Sequence, residues 1–222
     1  MNLEEKQRRL KEIANQVERC RKCSLWKNLK AVPGEGNPEA EIMLIGEAPG
    51  YHESVQGKPF VGAAGQLLTQ LLKSIGLERT QVFICNILKH RPPENRDPLP
   101  QEVEACTPFL DEQIEIVDPK IIVTLGRFSL NKFLPHEYIS KIHGQARFID
   151  FGGLPAGRQG KERIIIPMYH PAAALRSSII MEEIKKDFQK ISQFLSEEIN
   201  LSAEKQLPDK EVEKKSKQMS FL

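Results

Sequence analysis

Short apolar runs alternate with helical patterns along most of this chain, and this alternation limits the fold more than any other feature. Four runs have the length of buried strands, namely "AEIMLIGE" (40–47), "QVFICNIL" (81–88), "KIIVTLG" (120–126) and "RIIIPMYHP" (163–171). Helical spacing is found at 62–77, 98–117 and 127–134, and from "AAALRSS" to about residue 198; "QARFID" (145–150) predicts a further strand. We therefore predict an α/β fold, a three-layer α/β/α sandwich with a mostly parallel central sheet.

Composition places the chain among globular proteins but says little about its partners. Hydrophobic residues make up 40% and charged residues 28% of 222 positions, which is typical of a folded domain. The apolar runs are far shorter than the roughly 20 residues of a membrane span, and the charged N-terminus does not resemble a signal peptide. We expect a cytoplasmic monomer that does not contact membranes. The net charge of +2 neither requires nor excludes nucleic acid.

Two segments fall outside the alternating pattern. The predicted catalytic domain covers residues 1–198, and residues 199–222 read as a charged, disordered tail with few apolar residues before its last five. The loop "FGGLPAGRQGKER" (151–163) approximates a P-loop, but Pro155 and Glu162 occupy positions that the motif reserves for Gly and Ser/Thr. We interpret it as a surface insertion without an assigned function.

The cysteines indicate a metal or redox site. Cys20 and Cys23 form the sequence "CRKC", and the other two cysteines of the chain are Cys85 and Cys106, with His90 between them. In a reducing compartment a structural disulfide is uncommon, so a CxxC pair there indicates metal binding or thiol chemistry.

Polar and glycine-rich residues collect where three predicted strands end, after Gly46, after Cys85 and after Met168. In open α/β sheets ligands bind beyond the carboxyl ends of the strands. After the first strand a tight Gly/Pro turn places Glu47 at a pocket, and Phe60 offers a flat ring nearby in sequence. A structural turn with a solvated Glu explains this segment equally well.

The other two strand ends carry Asn86 and His170. An amide can donate and accept at once, which suits the edge of a pyrimidine, although an Asn that only turns the chain is as reasonable. An imidazole can stabilise a departing anion, although His170 taken alone is more typical of a residue that starts a helix. The proline-rich segment after Asn86 brings Lys89, Arg91 and Arg96 together.

Five segments, in order, resemble the type-4, iron–sulfur-containing branch of the uracil-DNA glycosylase superfamily. They are "CRKC", "GEAPG", "GKPFVGAAGQLL", "NILKHRPPENRDPLPQEVEAC" and "YHPAAALR", and the resemblance extends over about residues 10 to 196. It implies a DNA repair enzyme that releases uracil from single- or double-stranded DNA, leaves an abasic site and carries a [4Fe-4S] cluster. A non-catalytic iron–sulfur protein that binds nucleic acid is the alternative.

The resemblance also implies the cluster ligands, with one departure. Cys20, Cys23 and Cys106 match ligand positions, and His90 stands where the family has cysteine, sixteen residues before Cys106. We favour His90 as the remaining ligand, since imidazoles bind iron in Rieske centres. Replacement by Cys85, and an incomplete three-cysteine site or a zinc site, remain alternatives.

By the same resemblance, Phe60 stacks on a flipped uracil, Asn86 reads its N3–H and O4, and either Tyr51 or Phe60 excludes the thymine methyl. Glu47, Asn86 and His170 are the implied catalytic residues. The implied uracil-binding residues are Gly46, Ala48, Pro49, Gly50, Phe60 and Asn86, and the implied DNA-binding residues are Arg91, Arg96 and Arg176. Arg176 would fill the gap in the duplex.

Two departures from other branches bear on the mechanism. Ala48 stands where the best-known branch has Asp, so activation of water by a carboxylate is less secure. An "RRIH"-like loop, with which a related branch traps the abasic sugar, is absent from the sequence, and we therefore predict turnover.

The final residues "QMSFL" resemble the peptide that binds the bacterial sliding clamp, and a frayed terminus is the alternative. The residues concerned are Gln218, Met219, Phe221 and Leu222.

Overall fold

A computed structural model describes residues 1–150 and 162–205. The strands are β1 (Glu35–Gly36), β2 (Ile42–Gly46), β3 (Phe83–Asn86), β4 (Ile121–Leu125), β5 (Arg147–Asp150) and β6 (Glu162–Met168). The helices are α1 (Leu3–Glu18), α2 (Tyr51–Gln56), α3 (Ala63–Ser74), α4 (Pro100–Val117), α5 (Arg127–Phe133), α6 (Ile139–Ile142), α7 (Pro171–Ala174) and α8 (Ser178–Lys205). Short 3-10 turns lie at Ser24–Lys27, Arg79–Gln81 and Pro93–Asn95.

The strands form one sheet in the order β1-β3-β2-β4-β6-β5. The inner four are mutually parallel, and the two edge strands are antiparallel to their neighbours. Gly46 pairs with Asn86, and Leu125 pairs with Met168, so the inner strands end at the same edge. The structure therefore confirms the mostly parallel sheet, and it brings the three polar strand ends together.

The sheet is covered on both faces, which confirms the three-layer sandwich. Side chains alternate between faces along a strand, so Leu44 packs into one core while Met43 and Ile45 pack into the other. The first core includes leucines of α3 and Phe188 of α8, and the second includes Leu110 of α4. Helix α1 packs on the outside of α4 through a small third cluster.

The last predicted helix requires two corrections. It is broken into α7 and α8, because the chain turns at residues 175–177. Helix α8 then continues to Lys205, so residues 199–205 are helical rather than part of a disordered tail. Glu162 and Arg163 belong to β6 rather than to the predicted insertion. The rest of that insertion, 151–161, and the proposed clamp peptide, 218–222, lie outside the described residues.

No helix within 1–150 and 162–205 is both long enough and apolar enough to cross a membrane.

Candidate active site

A cavity of about 600 Å³ opens at the carboxyl edge of the sheet. Its wall includes many of the residues singled out in the sequence, namely Glu47, Ala48, Pro49, Gly50, Phe60, Asn86, Arg96, His170 and Arg176. These residues come from the ends of β2, β3 and β6 and from the loops that follow them. The fold thus assembles one site from positions up to about 130 residues apart in sequence.

Asn86 is the last residue of β3 and is buried. Its side-chain oxygen Oδ1 is buried and has no hydrogen-bond partner among the described residues. Leaving a buried acceptor unpaired costs about 1–3 kcal/mol, so such an atom at the wall of a cavity is a place for a ligand donor. Gly46 faces this amide: a Cβ there would overlap Asn86 Oδ1 and lie 2.6 Å from Phe60 Cζ.

Phe60 has a left-handed backbone, with φ of 52°, which is uncommon for a bulky residue. The Arg79 guanidinium holds it there by donating to the carbonyl oxygens of Pro59 and Phe60, at 2.9 and 3.1 Å. Gly65 permits the close approach, since a Cβ at that position would overlap the Phe60 carbonyl group. The ring is stacked against His170, with centroids 5.7 Å apart. The aromatic wall of the cavity is therefore fixed from behind.

His170 caps the start of α7. Its Nδ1 accepts a hydrogen bond from the Ala172 N–H at 3.1 Å, which leaves the proton of a neutral imidazole on Nε2. Burial lowers the pKa of His170 to about 4, and the negative charge of Glu53 opposes this only weakly. The ring is thus neutral at pH 7 and presents a single N–H donor.

Glu47 has a raised pKa. Burial is the main cause, the nearby Asp97 carboxylate adds to it, and the positive charge of Arg127 acts in the opposite direction. Asp97 and Arg127 form an ion pair, and Arg127 itself lines the cavity. Sequence reasoning missed this pair, because an Asp and an Arg thirty residues apart carry no local pattern.

Glu53 was missed as well. Its carboxylate accepts the N–H groups of Val61 and Gly62, at 2.9 and 2.8 Å, and so anchors the loop that carries Phe60. The bonds join residues only eight or nine positions apart. The sequence nevertheless offers no signal for them beyond an acidic residue close to a Gly-rich turn.

The three predicted DNA-binding arginines differ in their surroundings. Arg96 lines the cavity and makes a bidentate ion pair with Glu102, at 2.6 and 2.9 Å. Arg176 is exposed at the cavity wall. Arg91 does not line the cavity; its guanidinium lies over the Tyr51 ring, 5.6 Å from the centroid. Tyr51 is 56% exposed and is not part of the wall, so of the two aromatic candidates for excluding the thymine methyl only Phe60 is placed there.

A second group of side chains lies where the end of α1, the following loop and α4 meet. Burial raises the pKa of the Cys106 thiol, and the thiols of Cys23 and Cys20 raise it further, so these three lie within electrostatic range of each other. The N–H of Lys89 points to the Cys106 sulfur, and the N–H of Leu25 points to the Cys23 sulfur. Hydrogen bonds from backbone amides are a usual feature of thiolates that bind iron–sulfur clusters.

Thiols and an imidazole are groups that can bind an iron–sulfur cluster, but in the described residues they are not arranged around a single metal ion. Among residues 1–150 and 162–205, no three His, Cys, Asp or Glu side chains converge at the spacing of one metal ion. His90 is buried and lines a separate hollow beside Arg21 and Trp26. Burial and the charge of Arg21 lower the pKa of His90, so it is neutral, as a ligand must be. Cys85 is fully buried in the core beside β1 and Gly34.

Lys89 connects the uracil cavity to the cysteine group. Its Nζ is buried and donates to the main-chain oxygen of Asn86 at 2.8 Å and to Gln113 Oε1 at 2.7 Å. Gln113 in turn donates to the Pro33 carbonyl at 2.8 Å. The loop that holds Cys106 through its N–H is therefore tied directly to the strand end that presents Asn86.

Comparison with known proteins agrees with this geometry. Residues 33–196 match the model of the uracil DNA glycosylase superfamily, a span that contains the whole cavity wall. The chain belongs to that superfamily. It is 49% identical over 189 residues to the type-4 uracil-DNA glycosylase of Sulfurisphaera tokodaii, an alignment that covers 82% of this chain and 83% of the relative.

Two further relatives are similar over comparable lengths. The type-4 uracil-DNA glycosylase of Saccharolobus solfataricus is 48% identical, with 83% of this chain and 85% of the relative covered. That of Archaeoglobus fulgidus is 46% identical, with 83% and 92% covered. These relatives place the chain in the type-4 branch. The superfamily match begins after Cys20 and Cys23, so it bears on the cavity rather than on the cysteine pair.

Proposed function

We propose that this protein is a DNA repair glycosylase that hydrolyses the N-glycosidic bond of deoxyuridine in DNA, releasing uracil and leaving an abasic site. One observation carries the proposal. Asn86, whose buried Oδ1 has no hydrogen-bond partner among the described residues, lines a cavity whose aromatic wall, Phe60, is stacked against the catalytic candidate His170. Family membership and the type-4 relatives support the same activity.

Base recognition follows from the hydrogen-bonding pattern of the pyrimidine edge. Uracil offers the N3–H donor beside the O4 acceptor, and Asn86 can accept from the first through Oδ1 and donate to the second through Nδ2. Cytosine reverses this pattern, with an acceptor at N3 and a donor at C4. The amide oxygen would then face an acceptor and the amide nitrogen a donor, so neither could form a hydrogen bond. The base reaches the cavity after the nucleotide is flipped out of the stack, at a cost of a few kcal/mol.

Bond cleavage places negative charge on the departing uracil and positive charge on the sugar. His170 Nε2–H, fixed by the bond from Ala172 N–H to Nδ1, is positioned to donate to uracil O2 as the charge develops. Glu53 is committed to main-chain N–H groups, so Glu47 is the carboxylate that we assign to the sugar cation and to the orientation of water. Phe60 stacks on the base and keeps it in register.

We propose that Cys20, Cys23, Cys106 and His90 hold a [4Fe-4S] cluster. The cluster would join the end of α1 to α4 and to the loop after β3, and its role would be structural. The proposal is supported by the electrostatic proximity of the three thiols and by the two N–H groups aimed at sulfur. Iron and sulfide analysis of protein purified without oxygen tests it, with His90→Cys expected to retain iron and His90→Ala to lose it.

We also propose specific DNA contacts, a monomeric state and a protein partner. Arg91 and Arg96 would contact DNA, and Arg176 would fill the gap that the flipped nucleotide leaves in the duplex, as their positions at or near the cavity suggest. The protein would act as a monomer in the cytoplasm, where its four free thiols would persist. Gln218, Met219, Phe221 and Leu222 would bind the sliding clamp. Deletion of 218–222 should abolish capture by immobilised clamp while leaving excision of a free oligonucleotide intact.

Excision of uracil from an oligonucleotide, read out by alkaline cleavage of the abasic product, tests the main proposal. We expect a 10²–10³-fold loss of kcat/KM for Asn86→Ala, His170→Ala and Asn86→Asp, since each removes a preorganised group. Asn15→Ala, which removes an exposed amide from α1, is the matched control and should retain full activity. Absence of cleavage by iron-replete wild-type protein would instead favour the binding-only alternative.

A further inference from the structure

A strongly basic, aromatic surface surrounds the cysteine pair, and its basic and aromatic side chains do not line the uracil cavity described above. Residues 19–30 read "RCRKCSLWKNLK", with five Lys and Arg residues and no carboxylate, in a chain whose net charge is only +2. All five basic side chains of this segment are exposed. The segment therefore carries five positive charges without a carboxylate of its own, and such a local excess is the electrostatic signature of a surface that contacts phosphates.

Trp26, the only tryptophan of the chain, stands at the centre of this segment. It lies on the 3-10 turn Ser24–Lys27, where Leu25 is buried in the core and the Trp26 ring is left 38% exposed. The Arg21 guanidinium lies 4.3 Å from the ring centroid, held by its own bonds to the carbonyl oxygens of Glu18 and Cys20. An exposed indole flanked by fixed cations is the arrangement on which nucleic-acid bases stack.

Helix α2 lies between this surface and the uracil cavity, since Glu53 lines the cavity and Gln56 lines the hollow beside Trp26. Trp26, Leu29 and Lys30 line a hollow of about 550 Å³ together with Gln56 and Gly57. Those last two residues lie at the end of α2, whose start follows directly on the turn at 46–50. At 1.5 Å per residue the six-residue helix is about 9 Å long, so a strand that continues a few nucleotides beyond the uracil can span it.

Arg91 makes a second connection between the two sites. Its carbonyl oxygen accepts from Asn28 Nδ2 at 2.9 Å, within the basic segment. Its guanidinium lies over the ring of Tyr51, the first residue of α2. A DNA strand that leaves the cavity past α2 would thus pass the Arg91–Tyr51 pair on its way to the basic segment.

We propose that Trp26, with Arg21, Lys27 and Lys30, binds the strand that flanks the flipped nucleotide, stacking one unpaired base on the indole. The proposal rests on uracil excision as the function of the cavity and adds a strand preference to it. A base can stack on Trp26 only where it is unpaired, so the surface favours single-stranded substrate over duplex.

Kinetics with substrates of two lengths test the proposal. For a 20-nucleotide single strand with a central uracil, Trp26→Ala should raise KM roughly tenfold and leave kcat within twofold, because stacking one base is a binding contribution. Trp26→Phe should restore most of the affinity. For a trinucleotide, which is too short to span α2, wild type and Trp26→Ala should have the same KM.

Tyr138→Ala is the matched control, since Tyr138 is also an exposed aromatic beside a lysine, with Lys141 Nζ 5.7 Å from its ring, but does not line the described hollow. Iron content is measured for every variant, because Trp26 is three residues from Cys23. Equal KM values for Trp26→Ala and Tyr138→Ala on the long single strand would overturn the proposal. So would an equal loss on the trinucleotide, which would show a general structural defect.

Tryptophan fluorescence measures DNA binding at this surface independently of uracil excision. Because Trp26 is the only tryptophan, stacking should quench the emission of the wild-type protein when a uracil-free single strand is added. In a plot of the logarithm of the binding constant against the logarithm of the salt concentration, each phosphate contact on a single strand contributes about 0.7 to the slope. The double variant Lys27→Gln, Lys30→Gln should therefore make that slope shallower by about 1.4. No quenching would reject the stacking proposal whether or not the protein excises uracil. Quenching without excision would support DNA binding at Trp26 and reject the proposed glycosylase activity.

Discussion

The uracil cavity and the cysteine site differ in how their polar groups are held. In the cavity, Gly46 and Asn86 are paired within the sheet, and His170 follows the end of β6 in the same sheet, so hydrogen bonds of the fold set their positions. At the cysteine site Cys20 and Cys23 lie beyond the last residue of α1, and Cys106 lies on α4. The thiols are neighbours, yet no three ligands converge within the described residues.

The difference teaches which site needs its ligand in order to form. Asn86 is a neutral amide that already lines the cavity, and binding a base costs it no proton. Burial raises the pKa of Cys23 and Cys106, so each thiol must release a proton before it can bind iron. A cluster would therefore assemble its own site, whereas uracil would enter one that the sheet has already built.

The largest effect is expected from Gly46→Ala, which tests how rigid the cavity is. The new Cβ would overlap Asn86 Oδ1 and press on the Phe60 ring, so both would leave their positions. We expect kcat/KM for uracil excision to fall about 10³-fold, which corresponds to about 4 kcal/mol. Gly76→Ala controls for glycine replacement: it has a positive φ but nothing within 4 Å of its Cβ, so it should reduce stability without affecting excision. A cavity that tolerates Gly46→Ala would not be preorganised.

Cys106→Ser should separate the two sites. If the proposed cluster is bound, its loss should reduce the free energy of unfolding by about 2–5 kcal/mol, the range for removal of a native disulfide cross-link. Because the sheet builds the cavity, excision at 25 °C should fall by less than tenfold. Iron content, thermal melting and excision are measured on the same preparations.

Cys85→Ala is the companion variant, since Cys85 is the other buried cysteine. It should retain its iron. If it loses iron while His90→Ala retains it, Cys85 rather than His90 is the ligand, and the cysteine site is built differently from our proposal.

The next effect concerns the protonation of His170. Its pKa is about 4 in the folded protein and about 6.5 when unfolded, so the unfolded chain binds more protons between these values. The free energy of unfolding is therefore unaffected by the titration of this group above pH 6.5. It decreases as the pH falls from 6.5 towards 4, by up to about 3 kcal/mol. Urea unfolding at pH 7, 5.5 and 4.5 should show a steeper decline for wild type than for His170→Gln. Parallel declines would mean that His170 is not held neutral by the fold.

The smallest effect is expected at the rim of the cavity. The charge of Arg127 lowers the pKa of Glu47, so Arg127→Ala should raise that pKa further. The acidic limb of the kcat profile should then move to higher pH, and only slightly, because Arg127 is exposed and screened by solvent. Arg8→Ala removes a comparably exposed arginine from α1 and should leave the limb in place. A shift to lower pH would contradict the assigned role of Glu47 as the titrating group.

Several parts of the structure escaped sequence reasoning for identifiable reasons. The two-residue strand β1 is too short to show a period, and the break between α7 and α8 carries neither Gly nor Pro at residues 175–177. Arg79 was overlooked because its partners are the carbonyl oxygens of Pro59 and Phe60, about twenty residues earlier. The pairing of Asp97 with Arg127, which modulates Glu47, is also a contact between distant segments.

The sequence by itself predicted the layers, the mostly parallel sheet and the three strand ends that carry polar residues, because apolar periodicity and Gly/Pro turns act over a few neighbouring residues. It also supplied the motifs that contain Glu47, Asn86 and His170. Only the tertiary structure decided that Asn86 Oδ1 is unpaired, that Ala172 N–H fixes the His170 tautomer, and that Trp26 remains exposed beside a cavity wall. Those properties depend on which groups remain unpaired once distant segments have packed, and a linear pattern does not encode that outcome.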